Sequence, residues 1–288
     1  MKLITGKKEN KVFVGVLDST ERKVLAVSHT DSMVDCIAKG EEFLQEIHEK
    51  IKAASEEDYF QIEEVTLLSP ITNPPKNIIC VGKNYVDHAI EMGSKEDIPE
   101  HIMVFSKAPT TIIGPADLIK NHLSITKQLD YEGELAIVIG KKGTNIKIEE
   151  ALSYCFGYTI VNDVTARDLQ EKHKQFFLGK SLDTSCPMGP FLVHKESIGN
   201  PNSLQIETRV NGEVRQSSNT KHFIFSVEEI ISTISKGMTL EPGDVIATGT
   251  PAGVGKGFKP PRFLKPGDQI EITIEGIGTL TNKVSLEI

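Results

Sequence analysis

Two glutamates separated by a single residue are the first candidates for chemistry in this chain. Glu132 and Glu134 lie in a segment with the pattern of a strand, and the period-two alternation of strands puts both carboxylates on one face. Two like charges on one face repel unless a cation lies between them, and carboxylate oxygens suit Mg²⁺, Mn²⁺ or Ca²⁺. The alternative is a solvated strand edge, because such charges are rarely buried.

A third acid, Asp163, ends the apolar run 156–162 and precedes the helix-like segment 164–170. At the end of a strand its carboxylate is placed to act as a ligand. An aspartate at the start of a helix is also a good N-cap, and the two roles are compatible.

His88 and Glu91 are three residues apart in a short helix-like segment, so their side chains are neighbours and can hydrogen-bond. A carboxylate partner orients an imidazole and raises its basicity, which suits activation of water. The alternative is an ordinary surface contact. Lys180 is a candidate cation, although most lysines are merely solvated.

The glycine-rich segment 248–257 resembles a nucleotide loop at first sight. That motif requires Ser or Thr directly after its lysine and a helix beyond it, whereas Gly257, Pro260 and Pro261 follow here. The sequence therefore argues against a phosphate loop. It retains a loop for a small molecule, with a threonine hydroxyl and open backbone amides.

The elements that position these residues fall into two parts. The pattern predicts a hairpin from strands 12–17 and 23–27, followed by a helix over 31–54 that Gly40 weakens. Proline and asparagine concentrate in 69–76, where neither a helix nor a central strand continues. We therefore divide the chain near residue 72, into a small N-terminal domain (1–72) and a catalytic domain (73–288).

The second part is predicted to be rich in strands, with short helices between them. Segments 77–81 and 135–139 have the β-branched, apolar character of buried strands. The Asn-Gly pair in 209–214 favours a two-residue type I′ hairpin turn. Two Pro-Gly-Asp sequences, at 242–244 and 266–268, are each predicted to be a turn that launches a strand.

The composition is that of a globular protein, and it limits the possible partners. Forty acidic against 32 basic residues give a net charge of −8, which repels nucleic acid and anionic membranes alike. No signal peptide or membrane-spanning run is visible, so we expect a cytoplasmic protein. The four cysteines show no paired spacing and are expected to be reduced and mostly buried: Cys36, Cys80, Cys155 and Cys186.

Six motifs occur in an order that resembles the fumarylacetoacetate hydrolase family over about residues 75–285. They are GKNYVDHAIEMGS, LDYEGELAIVIG, YTIVNDVTARDLQ, GKSLDTSCPMGP, RVNGEVRQ and GDVIATGTPAGVG. The branch most similar contains acylpyruvate hydrolases and oxaloacetate decarboxylases. Residues 1–70 resemble the small N-terminal domain of some bacterial members.

This resemblance implies an α+β, β-rich fold, in which a mixed β-sandwich roll carries a small N-terminal α+β domain. It also implies Mg²⁺ or Mn²⁺ in a cleft, a homodimer, and a mobile lid around residues 85–94. The metal ligands would be Glu132, Glu134 and Asp163, and the catalytic residues His88, Glu91 and Lys180. The implied substrate-binding residues are Lys83, Tyr85, Gln170 and Thr250. Lys83 stands where many members have arginine, so it offers a point charge in place of a two-pronged fork.

These expectations combine into metal-dependent cleavage of a C–C bond in a small 2-keto acid. Decarboxylation of oxaloacetate is narrowly preferred over hydrolysis of an acylpyruvate, and both would pass through a metal-bound enolate of pyruvate. An isomerase or hydratase of a related keto-dicarboxylate is an alternative. So is a non-catalytic protein that binds a dicarboxylate, because fold does not fix function.

Overall fold

The computed structural model describes residues 1–286, which form a β-rich α+β fold, as the sequence predicts. The strands are β1 (Lys2–Lys8), β2 (Lys11–Leu17), β3 (Lys23–Ser28), β4 (Tyr59–Gln61), β5 (Thr66–Leu68), β6 (Ile78–Gly82), β7 (Met103–Lys107), β8 (Ile112–Ile113), β9 (Leu118–Ile119), β10 (Leu129–Asp130), β11 (Gly133–Ile139), β12 (Cys155–Asn162), β13 (Thr165–Ala166), β14 (Cys186–His194), β15 (Gln205–Val210), β16 (Glu213–Asn219), β17 (Val245–Ala247), β18 (Gln269–Ile274) and β19 (Gly278–Val284).

The helices are short. They are α1 (Met33–Ala38), α2 (Glu41–Ala53), α3 (Val86–Glu91), α4 (Ala151–Tyr154), α5 (Arg167–His173), α6 (Phe177–Lys180) and α7 (Val227–Ser235). Within residues 1–286, no helix is both long enough and apolar enough to cross a membrane.

Two sheets form the body of the molecule. The larger is a mixed sheet with the order β4-β3-β2-β1-β14-β12-β11-β17-β6-β7, to which β5 and β8 add at β1 and β14. The second has the order β16-β15-β18-β19-β9, and β10 pairs with β13 separately. β11 and β12 are buried along their whole length, because each is covered on both faces.

The two faces of β11 contribute to two different cores. Leu135, Ile137 and Ile139 belong to a cluster with residues of the second sheet and α7. Ala136 and Val138 alternate with them and pack in a cluster that includes residues from β1, α1 and α2. Glu134 precedes these two residues on the same face of the strand, so the polar site lies at the end of an apolar core.

The N-terminal elements agree with the pattern except for the helix. The predicted hairpin is confirmed, since β2 and β3 pair antiparallel from Val14 and Ser28 onward. The single helix predicted over 31–54 is wrong, because the chain forms α1 and α2 with a break at Gly40, whose φ of +61° departs from helical geometry. Gly40, which weakened the helical pattern in the sequence, is therefore the residue at which the helix is divided.

β1 pairs antiparallel with β14, so one sheet crosses the proposed division near residue 72. The chain is irregular over 69–77, as the proline-rich sequence predicts. The separation into domains 1–72 and 73–288 stays a prediction.

The turns follow their sequence signals. Asn211 and Gly212 both have positive φ, 52° and 78°, as a type I′ turn between β15 and β16 requires. Gly243 and Gly267, the glycines of the two Pro-Gly turns, have φ values of +86° and +88°. The four cysteines are free and buried, as expected.

Candidate metal centre and its cavity

Antiparallel pairing brings the three candidate ligands together. Gly133 at the start of β11 lies opposite Asn162 at the end of β12, and the Asp163 amide donates to the Glu132 carbonyl at 2.8 Å. Strand alternation then places Glu134 on the same side as Glu132. One carboxylate oxygen from each of Glu132, Glu134 and Asp163 lies within 4.8 Å of the others, and all three residues are buried.

The helix expected at 164–170 begins later than predicted, at Arg167, and its N-cap is Ala166. β13 pairs with β10 ahead of the helix, which delays its start. The N-cap role proposed for Asp163 is therefore wrong, and its carboxylate is left for the acidic cluster.

Three buried cations neutralise most of this cluster. The Lys180 ammonium donates to both Glu132 Oε2 and Asp163 Oδ2 at 2.7 Å. Lys107 Nζ lies 2.9 Å from Asp163 Oδ1, and Arg167 Nη2 lies 2.7 Å from Glu132 Oε1. Each cation is itself nearly inaccessible to solvent, so these pairs are shielded from screening.

Glu134 differs from its neighbours because it has no ion pair within residues 1–286. Its carboxylate accepts a hydrogen bond from the Gly249 amide at 2.7 Å. Burial, and then the charges of Asp163 and Glu132, raise the pKa of Glu134 well above its usual range. Burial acts the same way on Glu132, but the nearby Lys180 and Arg167 lower the pKa of Glu132 to about 2.

A divalent cation would supply what Glu134 lacks. Three carboxylates with converging oxygens form a hard donor set that suits Mg²⁺ or Mn²⁺. The residues therefore fit the metal that the sequence pattern predicts. The identity of the ion stays a prediction.

His88 and Glu91 form the predicted pair on α3. His88 Nδ1 lies 3.2 Å from Glu91 Oε2, and Glu91 Oε1 accepts a hydrogen bond from the Gly253 amide at 2.9 Å. This second bond ties α3 to the glycine-rich loop. With Nδ1 committed to Glu91, the other ring nitrogen of His88 is left for a ligand.

Glu132 and Glu134 of the cluster and His88 of this pair line one cavity of about 400 Å³. Most of the site residues predicted from the sequence contribute to its wall: Lys83, His88, Glu132, Glu134, Gln170, Lys180 and Thr250. Gln170 accepts from Arg167 Nη1 at 3.3 Å. The Thr250 hydroxyl donates to the Gly133 carbonyl at 3.0 Å, which ties the glycine-rich loop to β11.

Tyr85 is the predicted substrate-binding residue that does not line this cavity. It lies in the wall of a neighbouring cavity of about 290 Å³, and its ring packs edge-on against Phe223 with centroids 5.0 Å apart. Its hydroxyl is buried without a hydrogen-bond partner among the described residues. Burial raises the pKa of Tyr85.

Three residues of the site were not singled out from the sequence. Lys107 ends β7, and Arg167 begins α5, where its Nε donates to Asp130 Oδ2 at 2.9 Å. Asp130 also accepts the backbone amides of Gly255 and Lys256, at 2.7 and 3.0 Å. The sequence offered two signals for these residues: Lys107 follows an apolar run, and Arg167 lies within one of the six motifs. Their partners are distant in the sequence, so only the folded structure identifies them.

Comparison with known proteins gives consistent matches. A family model described as fumarylacetoacetate (FAA) hydrolase C-terminal matches residues 77–285. Oxaloacetate tautomerase YisK of Bacillus subtilis (strain 168) is 56% identical, covering 99% of this chain and 100% of its own. The solved structure of a fumarylacetoacetate hydrolase from psychrophilic Exiguobacterium antarcticum has a TM-score of 0.87 at 46% identity, covering 100% of both chains.

A third match bears on the metal. Maleylpyruvate hydrolase from Sphingobium sp. SYK-6, solved in complex with manganese (II) ion and pyruvate, has a TM-score of 0.81 at 26% identity, covering 99% of both chains.

Proposed function

Since this chain belongs to the fumarylacetoacetate hydrolase family, whose enzymes act on keto acids, we propose that it interconverts the keto and enol forms of oxaloacetate. The observation that carries the proposal is that His88, oriented by Glu91, lines the same cavity as Glu132, Glu134 and Lys180. The name of the Bacillus subtilis relative supports the choice of substrate and reaction.

Glu132, Glu134 and Asp163 would hold Mg²⁺ or Mn²⁺. When bound, the divalent ion supplies Lewis-acid polarisation of an oxygen on the substrate and adds the positive charge that this acidic cluster lacks. The manganese and pyruvate in the maleylpyruvate hydrolase structure support a site of this kind.

Tautomerisation moves one proton between C3 and the oxygen on C2. The residues of the cavity supply a base for the C3 proton and a hydrogen-bond donor for the oxygen. The free nitrogen of His88 accepts the proton from C3, while the electron pair of the C–H bond forms the C2–C3 double bond. Glu91 stabilises the resulting imidazolium through Nδ1. The Lys180 ammonium donates a hydrogen bond to the C2 oxygen as its negative charge develops. The His88 imidazolium then gives the proton taken from C3 to that oxygen, which forms the enol and restores the neutral imidazole.

This assignment differs from the reactions preferred from the sequence. Oxaloacetate decarboxylation and acylpyruvate hydrolysis stay predictions. Tautomerisation needs neither loss of CO₂ nor entry of water, so a base and a cation in a shielded cavity suffice for it.

The decisive experiment follows the ultraviolet absorbance of enol-oxaloacetate in the presence of the purified protein and Mg²⁺ or Mn²⁺. Pyruvate formation from oxaloacetate and from acetylpyruvate is measured on the same preparation. We expect tautomerisation to exceed both cleavage reactions. Faster pyruvate formation than loss of the enol signal would contradict the proposal and favour the cleavage chemistry.

His88→Gln tests the base directly. Removal of a general base costs about 10² to 10⁴ in rate, so kcat for tautomerisation should fall by that order while Mn²⁺ binding is kept. His101→Gln is the matched control, because His101 is exposed and does not line the cavity. Equal rates in the two variants would remove His88 from the chemistry.

A further inference from the structure

The outer wall of the cavity carries three lysines, beyond the cations that neutralise the acidic cluster. Lys83, Lys174 and Lys256 all line it, together with the acid Glu171. They come from three different segments: the turn after β6, the end of α5, and the glycine-rich loop. The carboxylates at the deep end of the cavity are thus largely neutralised by buried cations, whereas the outer end carries three lysines and one glutamate.

The three lysines differ in how their charge is compensated. Lys256 forms an ion pair with Glu171, and Lys83 Nζ lies 3.5 Å from Asp97 Oδ1. Lys174 has no ion pair within residues 1–286. Its ammonium is therefore a cation on the cavity wall without an anionic partner in the described protein.

The backbone at two of these lysines is unusual as well. Lys174 follows the last turn of α5 with a φ of +58°, and Lys83 has a φ of +52°. This region of φ is unfavourable for residues with a side chain, and such conformations persist where surrounding structure holds them, commonly at ligand sites. A glycine would relieve the strain at either place, yet the chain retains lysine at both.

We propose that Lys174, on the wall of the cavity that Lys83 also lines, binds a second carboxylate of the substrate, so that the site selects dicarboxylic over monocarboxylic acids. The inference rests on the proposed function, in which a 2-keto acid has its reactive end at the acidic cluster. A monocarboxylate would leave the Lys174 ammonium without a counter-charge. A distal carboxylate forms a charge-assisted hydrogen bond with it.

The test measures binding, not turnover. Malate and lactate share a 2-hydroxycarboxylate end and differ in the distal carboxylate, and neither is consumed by the proposed reaction. Calorimetric titration in the presence of Mn²⁺ gives the affinity of each for the parent protein and for Lys174→Gln. The control is Lys172→Gln, which removes the same charge from the same helix at a residue that does not line the cavity.

We expect the parent protein to prefer malate over lactate. Because Lys174 is exposed, Lys174→Gln should reduce that preference by about two- to fivefold, through weaker binding of malate. Lactate affinity should stay the same, and Lys172→Gln should behave like the parent. A parent without a preference for malate, or a preference retained in Lys174→Gln, overturns the inference.

This experiment is independent of the proposed reaction. Loss of the malate preference in Lys174→Gln supports the carboxylate site even if the protein fails to tautomerise oxaloacetate. Conversely, tautomerisation with an unchanged preference in the variant leaves the proposed function standing and removes Lys174 from recognition.

Discussion

At the scale of single residues, burial has its clearest effect on the pKa of Glu134. Its carboxylate is buried beside two others and has no cationic partner within residues 1–286. The pKa of Glu134 is higher in the folded than in the unfolded state. Its contribution to the free energy of unfolding is therefore fully present below the unfolded-state pKa and is lost as the pH rises through the folded-state pKa. At neutral pH the metal-free protein therefore bears a cost at this residue.

Glu134→Gln should relieve that cost while abolishing Mn²⁺ binding. The amide keeps an oxygen to accept the Gly249 N–H, so the metal-free variant should be more stable than the parent by about 1–3 kcal/mol at pH 7. Thermal unfolding with and without Mn²⁺ measures both effects, and the metal should stabilise only the parent. Glu149→Gln, at an exposed carboxylate, is the control. A variant that still binds Mn²⁺ would contradict the assignment of this ligand.

Alternation along one strand was sufficient to place Glu132 and Glu134 on one side, because that rule is local. The pairing of Lys180 with Glu132 and Asp163 spans 48 and 17 residues of sequence, and no local pattern encodes it. Lys107 and Arg167 were missed for the same reason. A buried lysine cannot be distinguished from a solvated one until its partners are known.

At the scale of elements, α3 and the glycine-rich loop together hold the pair formed by His88 and Glu91. Glu91 accepts the Gly253 amide, and its carboxylate lies against Gly257. A Cβ at residue 257 would lie 2.1 Å from Glu91 Oε1 and 2.3 Å from its Cδ. Glycine at this position is therefore what allows Glu91 to reach both His88 and the loop.

Gly257→Ala should displace the Glu91 carboxylate and release His88 Nδ1. A misplacement of about 1 Å at a catalytic group can cost about 10² in rate, so kcat should fall by about that factor with Mn²⁺ affinity unchanged. Hydrogen exchange over residues 85–94 should become faster, since α3 loses its contact with the loop. Gly237→Ala is the control, because a Cβ there meets no atom within 4 Å. Parent-like kcat and exchange in Gly257→Ala would show that the contact positions nothing.

The boundaries of elements were predictable where chain geometry alone decides them. The type I′ turn at Asn211-Gly212 and the Pro-Gly turns needed only residues that accept positive φ. The start of α5 was not predictable in this way, because Thr165 and Ala166 pair with β10 and the helix begins only after them. A competing long-range strand pairing is invisible to a helical pattern.

At the scale of the whole molecule, the N-terminal part and the remainder share an apolar core. The homodimer expected from the sequence stays a prediction. Leu3, Phe43 and Ile47 share one apolar cluster with Val138 and Leu192, which lie far beyond residue 72. β1 also hydrogen-bonds to β14 within the same sheet. The family model begins at residue 77, close to the division predicted from the sequence, but the apolar cluster extends across that point.

Leu3→Ala tests whether the two parts unfold together. Leu3 is fully buried and lies opposite Leu192 on β14, so its truncation should cost about 2–5 kcal/mol. Because the core crosses residue 72, we expect calorimetry to show one transition, shifted as a whole to lower temperature, with equal calorimetric and van't Hoff enthalpies. Val12→Ala, at a half-exposed strand position, should change stability by no more than about 0.5 kcal/mol. Protein concentration is held fixed, because association would also move the transition. If the first 72 residues were an independent domain, Leu3→Ala would split off an early transition and leave the later one in place, and the shared core would then be too weak to couple them.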